Sequence, residues 1–248
     1  MKSSIEGKKI LLTRPQNLNK EWAERFEAIG AITVIFPLIE ITAIEDLTEI
    51  HDTAARINQF DWIIFNSINS ARYSLEIINK VLLSSHKIQI AAIGSKTAAY
   101  LENHGLEVDF MPRVFTSAYM GEELGDVKNR KILIPRTNIA DDDLTEQLKK
   151  RGATVTELTV YNTAKVSGVH DELQKILDKG IDVVTFASSS AAESFCDLKV
   201  DKKNAKVAVI GPVTAERCIK MGLKPDIIAE SYTTEGLTQA ILNYFENK

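Results

Sequence analysis

Apolar and polar positions follow two recurring rhythms along this chain. Ile10–Thr13 is a short apolar run. After it come Leu18, Trp22, Phe26 and Ile29, the three-to-four spacing of one helix face, and then Gly30, placed to end that helix in a left-handed turn. Ala31–Phe36 is β-branched and apolar and predicts a strand. The grammar repeats. Trp62–Phe65 predicts a strand, with a helix through Leu75, Ile78 and Leu82 behind it. Ile88–Ile93 predicts the next strand, followed by a helix over Lys96–His104 that Gly105 closes. Thr116 or Ser117 caps a further helix reaching Leu124. Strands alternating with helices of such lengths predict parallel sheets covered by helices on both faces. Trp62-Ile-Ile-Phe65 and Val183-Val-Thr-Phe186 are almost continuously apolar, as strands buried on both faces require.

The pattern contains itself twice. IAAIGSKTAAYLENHGL, from Ile90 to Leu106, answers VAVIGPVTAERCIKMGL, from Val207 to Leu223. The shared residues include Gly94/Gly211, Thr97/Thr214 and Gly105/Gly222. Lys9-Ile-Leu-Leu-Thr-Arg14 answers Lys131-Ile-Leu-Ile-Pro-Arg136, Gly30-Ala answers Gly152-Ala, and Asp61-Trp-Ile-Ile-Phe-Asn-Ser67 answers Asp182-Val-Val-Thr-Phe-Ala-Ser188. A repeat of this length predicts two similar α/β domains, with a ligand expected in a cleft between them.

Two divisions of the chain fit that repeat. The simplest cuts it near Val127 into tandem halves. Gly125–Arg130 is short and polar, however, like a loop inside a domain. The β-rich stretches Val34–Ile44 and Val155–Val166 occupy equivalent places in the two copies and make better connectors. The second division is therefore preferred: residues 1–36 with 168–248 form one discontinuous domain, 43–160 the other, and 37–42 and 161–167 a two-stranded connector.

Composition narrows the function classes. A chain of 248 residues, 44% hydrophobic and 26% charged, is an ordinary globular sequence. Its net charge of −4 gives no reason to expect nucleic acid and confines any anion site to local features. No apolar run is long enough to cross a membrane, and Met1–Gly7 has no signal-peptide core, so a cytoplasmic protein is expected. Cys196 and Cys218 are read as reduced, buried or half-buried thiols. The histidines (His51, His86, His104, His170) are scattered, and no metal site is expected. Neither a dinucleotide nor a P-loop fingerprint is present. Asp141-Asp142-Asp143 reads as the charged first turn of a helix.

Candidate chemistry lies where strands end. Asn66-Ser67-Ile68-Asn69-Ser70, Gly94-Ser95-Lys96-Thr97, Ser188-Ser189-Ser190 and Gly211-Pro212-Val213-Thr214 each close a strand and open a helix. Such residues are ordinary helix caps. Strand ends followed by helix N-termini are also where open α/β sheets bind ligands, and free N–H groups there favour anions. Tyr161 breaks the repeat. At an offset of 122 residues its counterpart is Ile39, so equivalent strands carry a phenol in one copy and an aliphatic group in the other.

The motif set K-I-L-L-T-R-P, D-W-I-I-F-N-S-x-N-S-A, I-A-A-I-G-S-x-T-A, P-R-x-x-I-A, L-T-V-Y-x-T, D-V-V-T-F-A-S-S-S-A and V-A-V-I-G-P-x-T-A resembles the uroporphyrinogen-III synthase family over about residues 8–245. The resemblance implies two α/β domains joined by a two-stranded connector. It implies a cyclizing hydro-lyase that closes hydroxymethylbilane to uroporphyrinogen III with inversion of the last ring, and needs no cofactor. Tyr161 matches the family's cleft tyrosine and is the expected catalytic residue. Thr214 matches its cleft threonine, and Ser67, Asn69, Thr97, Ser188, Ser189 and Ser190 match the loops that line the cleft. Arg14, Gly94, Lys96, Arg136 and Gly211 complete the expected substrate-binding set. Ile68 stands where the family usually has proline. The resemblance further implies a monomer with no nucleic-acid or membrane partner, and leaves room for transient contact with hydroxymethylbilane synthase. The alternative reading is a cytoplasmic two-lobed protein that binds a small anionic ligand without converting it.

Overall fold

The computed structural model describes residues 4–83, 88–140 and 142–246. In chain order the first strands and helices are β1 (Lys9–Leu12), α1 (Lys20–Ala28), β2 (Ile32–Ile35), β3 (Ile39–Ala43), α2 (Thr48–Ala55), β4 (Trp62–Phe65) and α3 (Ile68–Leu83). Next are β5 (Gln89–Ala92), α4 (Ser95–Asn103), α5 (Ser117–Glu123), β6 (Lys131–Thr137), α6 (Asp143–Lys150) and β7 (Thr154–Lys165). The chain closes with α7 (His170–Asp178), β8 (Val183–Phe186), α8 (Ser189–Asp197), β9 (Lys206–Val209), α9 (Pro212–Lys220), β10 (Ile227–Ile228) and α10 (Thr234–Glu246). His86 and Asp141 lie outside the described residues.

The strands form two five-stranded sheets, β10-β9-β8-β1-β2 and β3-β7-β6-β4-β5. The ladders β1–β2, β1–β8, β8–β9, β4–β5, β4–β6 and β6–β7 are parallel. The central strands of each sheet are apolar on both faces. In β4, Ile63 and Phe65 pack into one cluster and Ile64 into another. In β1, Leu11 faces one cluster while Ile10 and Leu12 face the other. All six side chains are fully buried, each contributing about 1.5–3 kcal/mol. This is why these strands lack the alternation of a half-exposed sheet.

The repeat maps one sheet onto the other. The order β9-β8-β1-β2 in the first corresponds to β5-β4-β6-β7 in the second. Each sheet therefore takes one strand pair from each sequence copy. The contacts divide the chain accordingly into a unit of residues 1–40 with 164–248 and a unit of residues 41–163. The shared aspartates are structural: Asp61 Oδ2 accepts the Lys131 N–H at 2.7 Å, and Asp182 Oδ2 accepts the Lys9 N–H at 2.9 Å. Both bonds tie the beginnings of neighbouring strands, away from the strand ends that carry the candidate site. The shared Gly30 and Gly152 follow their helices at φ +87° and +90°, a turn that other L-residues strongly resist.

One element departs from expectation. Val34–Ile44 is not continuous: Phe36–Leu38 interrupts it, and β2 and β3 lie in different sheets. Pro37 explains the break, since it lacks an N–H for the ladder and restricts Phe36 before it. Its counterpart in the second copy, Val155–Val166, runs unbroken as β7, which leaves the second unit after Thr163 and continues to Lys165 in the first. A fragment of residues 41–163 is expected to fold by itself, with a single cooperative urea transition. Cooperative folding of 1–126 and 127–248, without that of 41–163, would contradict the expectation.

Candidate active site

Four strand-to-helix connections have the same form. β4, β5, β8 and β9 are each followed after two residues by α3, α4, α8 and α9. In each sheet the chain also reverses its direction of travel, between β4 and β6 in the second unit and between β1 and β8 in the first. The carboxyl ends of strands flanking such a reversal are the usual ligand crevice of an open α/β sheet.

In the second unit, Ser67 caps α3. Its Oγ accepts the Ser70 N–H at 3.1 Å, and Ser70 Oγ accepts the Ser67 N–H at 3.1 Å. This reciprocal pair is a capping box built from two serines. Asn69 follows in the first turn and is half-buried. Gly94 caps α4 at φ +106° and supplies no side-chain cap, so no side chain of its own competes for the first-turn amides. Lys96 is exposed on that first turn, whereas Thr97 is buried at 4% exposure.

Tyr161 is brought to the same region by an irregularity in β7. Arg136 pairs with Thr159 but Thr137 pairs with Tyr161, leaving Val160 as an extra residue. Such a bulge shifts the side-chain phase by one, and it is uncommon in parallel ladders. Leu158 and Val160 are buried before it, and Tyr161 and Thr163 after it. The new phase is secured just beyond, where Asn138 Oδ1 accepts the Thr163 N–H at 2.8 Å and the hydroxyls of Thr137 and Thr163 lie 2.9 Å apart.

Tyr161 is 6% exposed. Its Oη lies 3.5 Å from Ser67 Oγ, at the long limit of a hydrogen bond. The Ser67 oxygen already receives the Ser70 amide, so its own proton is free to point at Tyr161. The Tyr73 ring of α3 stacks on Tyr161 with centroids 5.4 Å apart and planes at 19°. Burial raises the Tyr161 pKa above its ordinary value near 10; the Ser67 bond opposes the shift and Tyr73 adds to it. The phenol is thus a neutral proton donor at any physiological pH.

In the first unit, Ser188 caps α8 by accepting the Ala191 N–H at 3.2 Å, with the Ser190 hydroxyl 3.1 Å away and Ser189 half-buried between them. Gly211 caps α9 without a side-chain bond. Its reason for being glycine differs from that of Gly94. The backbone is extended, and a Cβ would sit 2.8 Å from the Tyr232 ring. Thr214 is buried at 4% exposure, like its counterpart Thr97. The structure thus groups Ser188, Ser189, Ser190, Gly211, Thr214 and Arg14 in the first unit, and Ser67, Asn69, Gly94, Lys96, Thr97, Arg136 and Tyr161 in the second.

The equivalent arginines have opposite surroundings. Arg136 is buried, pairs with Glu157 and with Asp142 (2.9 Å), and donates to the Ala140 carbonyl. Glu157 also accepts the Thr145 hydroxyl at 2.6 Å. Arg136 therefore ties Ala140 and Asp142 to Glu157 of β7, so its guanidinium already has partners within the second unit. Asp142 precedes α6 as expected of the acidic run but spends its carboxylate on Arg136 rather than on the helix end. At the same offset, Glu157 is replaced by Ile35 in the first copy. Arg14 accordingly has no carboxylate within ion-pair distance among the described residues. It donates to the Leu18 carbonyl at 3.0 Å and lies over Trp22 at 5.9 Å. Desolvation lowers its pKa, with Glu235 and Glu21 opposing from a distance.

Among the described residues no cluster of His, Cys, Asp and Glu could hold a metal, and no helix is long and apolar enough to cross a membrane. Cys196 is half-buried and Cys218 buried, both free, with burial raising the Cys218 thiol to about 12.

Fold and strand ends together define a two-unit, doubly wound α/β protein with hydroxyl- and glycine-capped helix ends and one buried phenol. The family model described as Uroporphyrinogen-III synthase HemD matches residues 20–239, and the chain belongs to that family. It is 27% identical to a uroporphyrinogen-III synthase of Synechococcus elongatus, over 95% of this chain and 94% of that protein. It is 28% identical to a porphyrin biosynthesis protein HemD of Ruminiclostridium josui, of whose length it spans about half (49%). A crystal structure of mutant uroporphyrinogen III synthase from Thermus thermophilus superposes with a TM-score of 0.73 at 18% identity, covering 98% of this chain and 100% of that one. The Helicobacter pylori enzyme gives 0.62 at 21% identity, over 96% and 99%.

Proposed function

We propose that this protein is a uroporphyrinogen-III synthase: it dehydrates and closes hydroxymethylbilane to uroporphyrinogen III, inverting the last ring, without a cofactor. The observation that carries the chemistry is Tyr161, a buried neutral phenol that the bulge at Val160 turns toward Ser67 at the head of α3. The strand ends suit a ligand bearing many carboxylates. Helix N-termini with serine or glycine caps offer N–H groups and positive dipole ends without demanding one side-chain geometry. Arg14, which has no carboxylate within ion-pair distance among the described residues, adds a cation.

In this reading Tyr161 donates its proton to the departing hydroxyl of the bilane, so that the C–O bond breaks and water leaves. The azafulvene cation that remains is attacked by the substituted carbon of the last ring, giving a spirocyclic intermediate that reopens and recloses with that ring inverted. The carboxylate contacts hold the chain curled so that this attack precedes simple closure, an orientational contribution. A general acid adds roughly 100- to 10,000-fold. The test is product analysis: the protein, given hydroxymethylbilane and no metal or nucleotide, yields mainly the type III porphyrin after oxidation. Activity that is lost with EDTA would refute the cofactor-free mechanism.

A further inference from the structure

Tyr161 is met by Ser67, at the N-cap of α3, and by Tyr73 within that helix, and the two contacts differ in strength. The Ser67 hydroxyl stands 3.5 Å away, too long to fix a phenol by itself. The Tyr73 ring, six residues further along the helix, lies nearly parallel to Tyr161 at 5.4 Å, a close offset stack. Tyr73 is half-buried and packs against the same apolar cluster that contains Phe65, Val160 and Tyr161. The serine capping box fixes the first turn of α3 two residues past the end of β4, so the Tyr73 ring is carried on a well-capped helix. The bulge at Val160 sets which way Tyr161 points, but a bulge alone leaves the side-chain torsions free.

We infer that Tyr73 is a positioning residue for Tyr161: its ring stacks on the phenol and holds it in the orientation from which the proton is delivered. The inference rests on the proposed synthase reading. The Tyr73 ring, not its hydroxyl, does the work. Misplacing a reacting group by about 1 Å can cost on the order of 100-fold in rate, so loss of the stack is felt in turnover rather than in substrate binding.

The test uses the full chain and hydroxymethylbilane, with Tyr73→Leu, Tyr73→Phe and Tyr161→Phe measured singly and in combination, and thermal melts on each. Tyr73→Leu is expected to lower kcat on the order of 10-fold, with KM changed by less than about twofold. Tyr73→Phe keeps the ring and is expected to stay near wild type. Adding Tyr73→Leu to Tyr161→Phe is expected to have almost no further effect, because the stack then positions no proton; contacting residues that act through one another are non-additive in this way. Tyr73→Met, run in parallel, decides the matter where the leucine variant melts early. The inference is overturned by a leucine variant at wild-type turnover, by a phenylalanine variant as slow as leucine, or by equal losses in both backgrounds. Wild-type protein that forms only the type I isomer refutes the synthase reading and Tyr73's role with it; type III product with an unaffected Tyr73→Leu refutes the role alone.

Discussion

Tyr161→Phe is expected to lower kcat about 100-fold or more while leaving the fold intact. The substitution keeps the ring, its stack on Tyr73 and its burial, and removes only the O–H. The one hydrogen bond lost is the 3.5 Å contact with Ser67, so stability changes by no more than about 1 kcal/mol. The pH dependence follows from the sign of the shift. A phenol is a competent acid below its pKa, and burial raises that of Tyr161 above 10. The ratio of wild-type to mutant turnover is therefore constant through neutral pH and falls only above about pH 10. Steady-state kinetics across pH, with melts, read both effects. A mutant within about threefold of wild type would remove Tyr161 from the chemistry and leave orientation to carry it.

Arg136→Leu is expected to act almost entirely on stability. It strips Glu157 of its cation and leaves that carboxylate with the Thr145 hydroxyl, while Ala140 and Asp142 lose their tie to the guanidinium. Glu157 is 32% exposed, so breaking this half-buried pair costs about 1–2 kcal/mol, enough to lower the melting temperature of the second unit by roughly 5 °C. Arg14→Leu breaks no ion pair and is expected to leave the melt nearly unchanged. It raises KM for hydroxymethylbilane on the order of 10-fold, the worth of one charge-assisted bond. Equal melting losses in the two variants would contradict the distinction drawn between the arginines.

That distinction illustrates what the sequence carries and where it stops. Continuous apolar runs and glycine stops located β4 to the residue and α4 within one position at either end, because hydrophobic period and left-handed turns are local properties. The cap serines Ser67 and Ser188 were legible for the same reason. Arg14 and Arg136 looked alike because the repeat is strongest around them; their difference lies in a neighbouring strand, where Glu157 replaces Ile35. The comparison was available at the same offset that singled out Tyr161. The Val160 bulge was not, since a register shift depends on how β6 meets β7 and leaves no residue signature here. Tyr73 was hidden in the same way: an aromatic on a helix reads as core until the strand it faces is known.

The central claim, that these strand ends steer a bilane to the inverted ring closure, is tested most directly by isomer analysis. Purified protein is mixed with hydroxymethylbilane in the presence of EDTA, the product is oxidised, and the porphyrin isomers are separated. The account predicts a product that is mainly type III, formed faster than the spontaneous reaction. A mixture indistinguishable from the type I product of the enzyme-free control would contradict it.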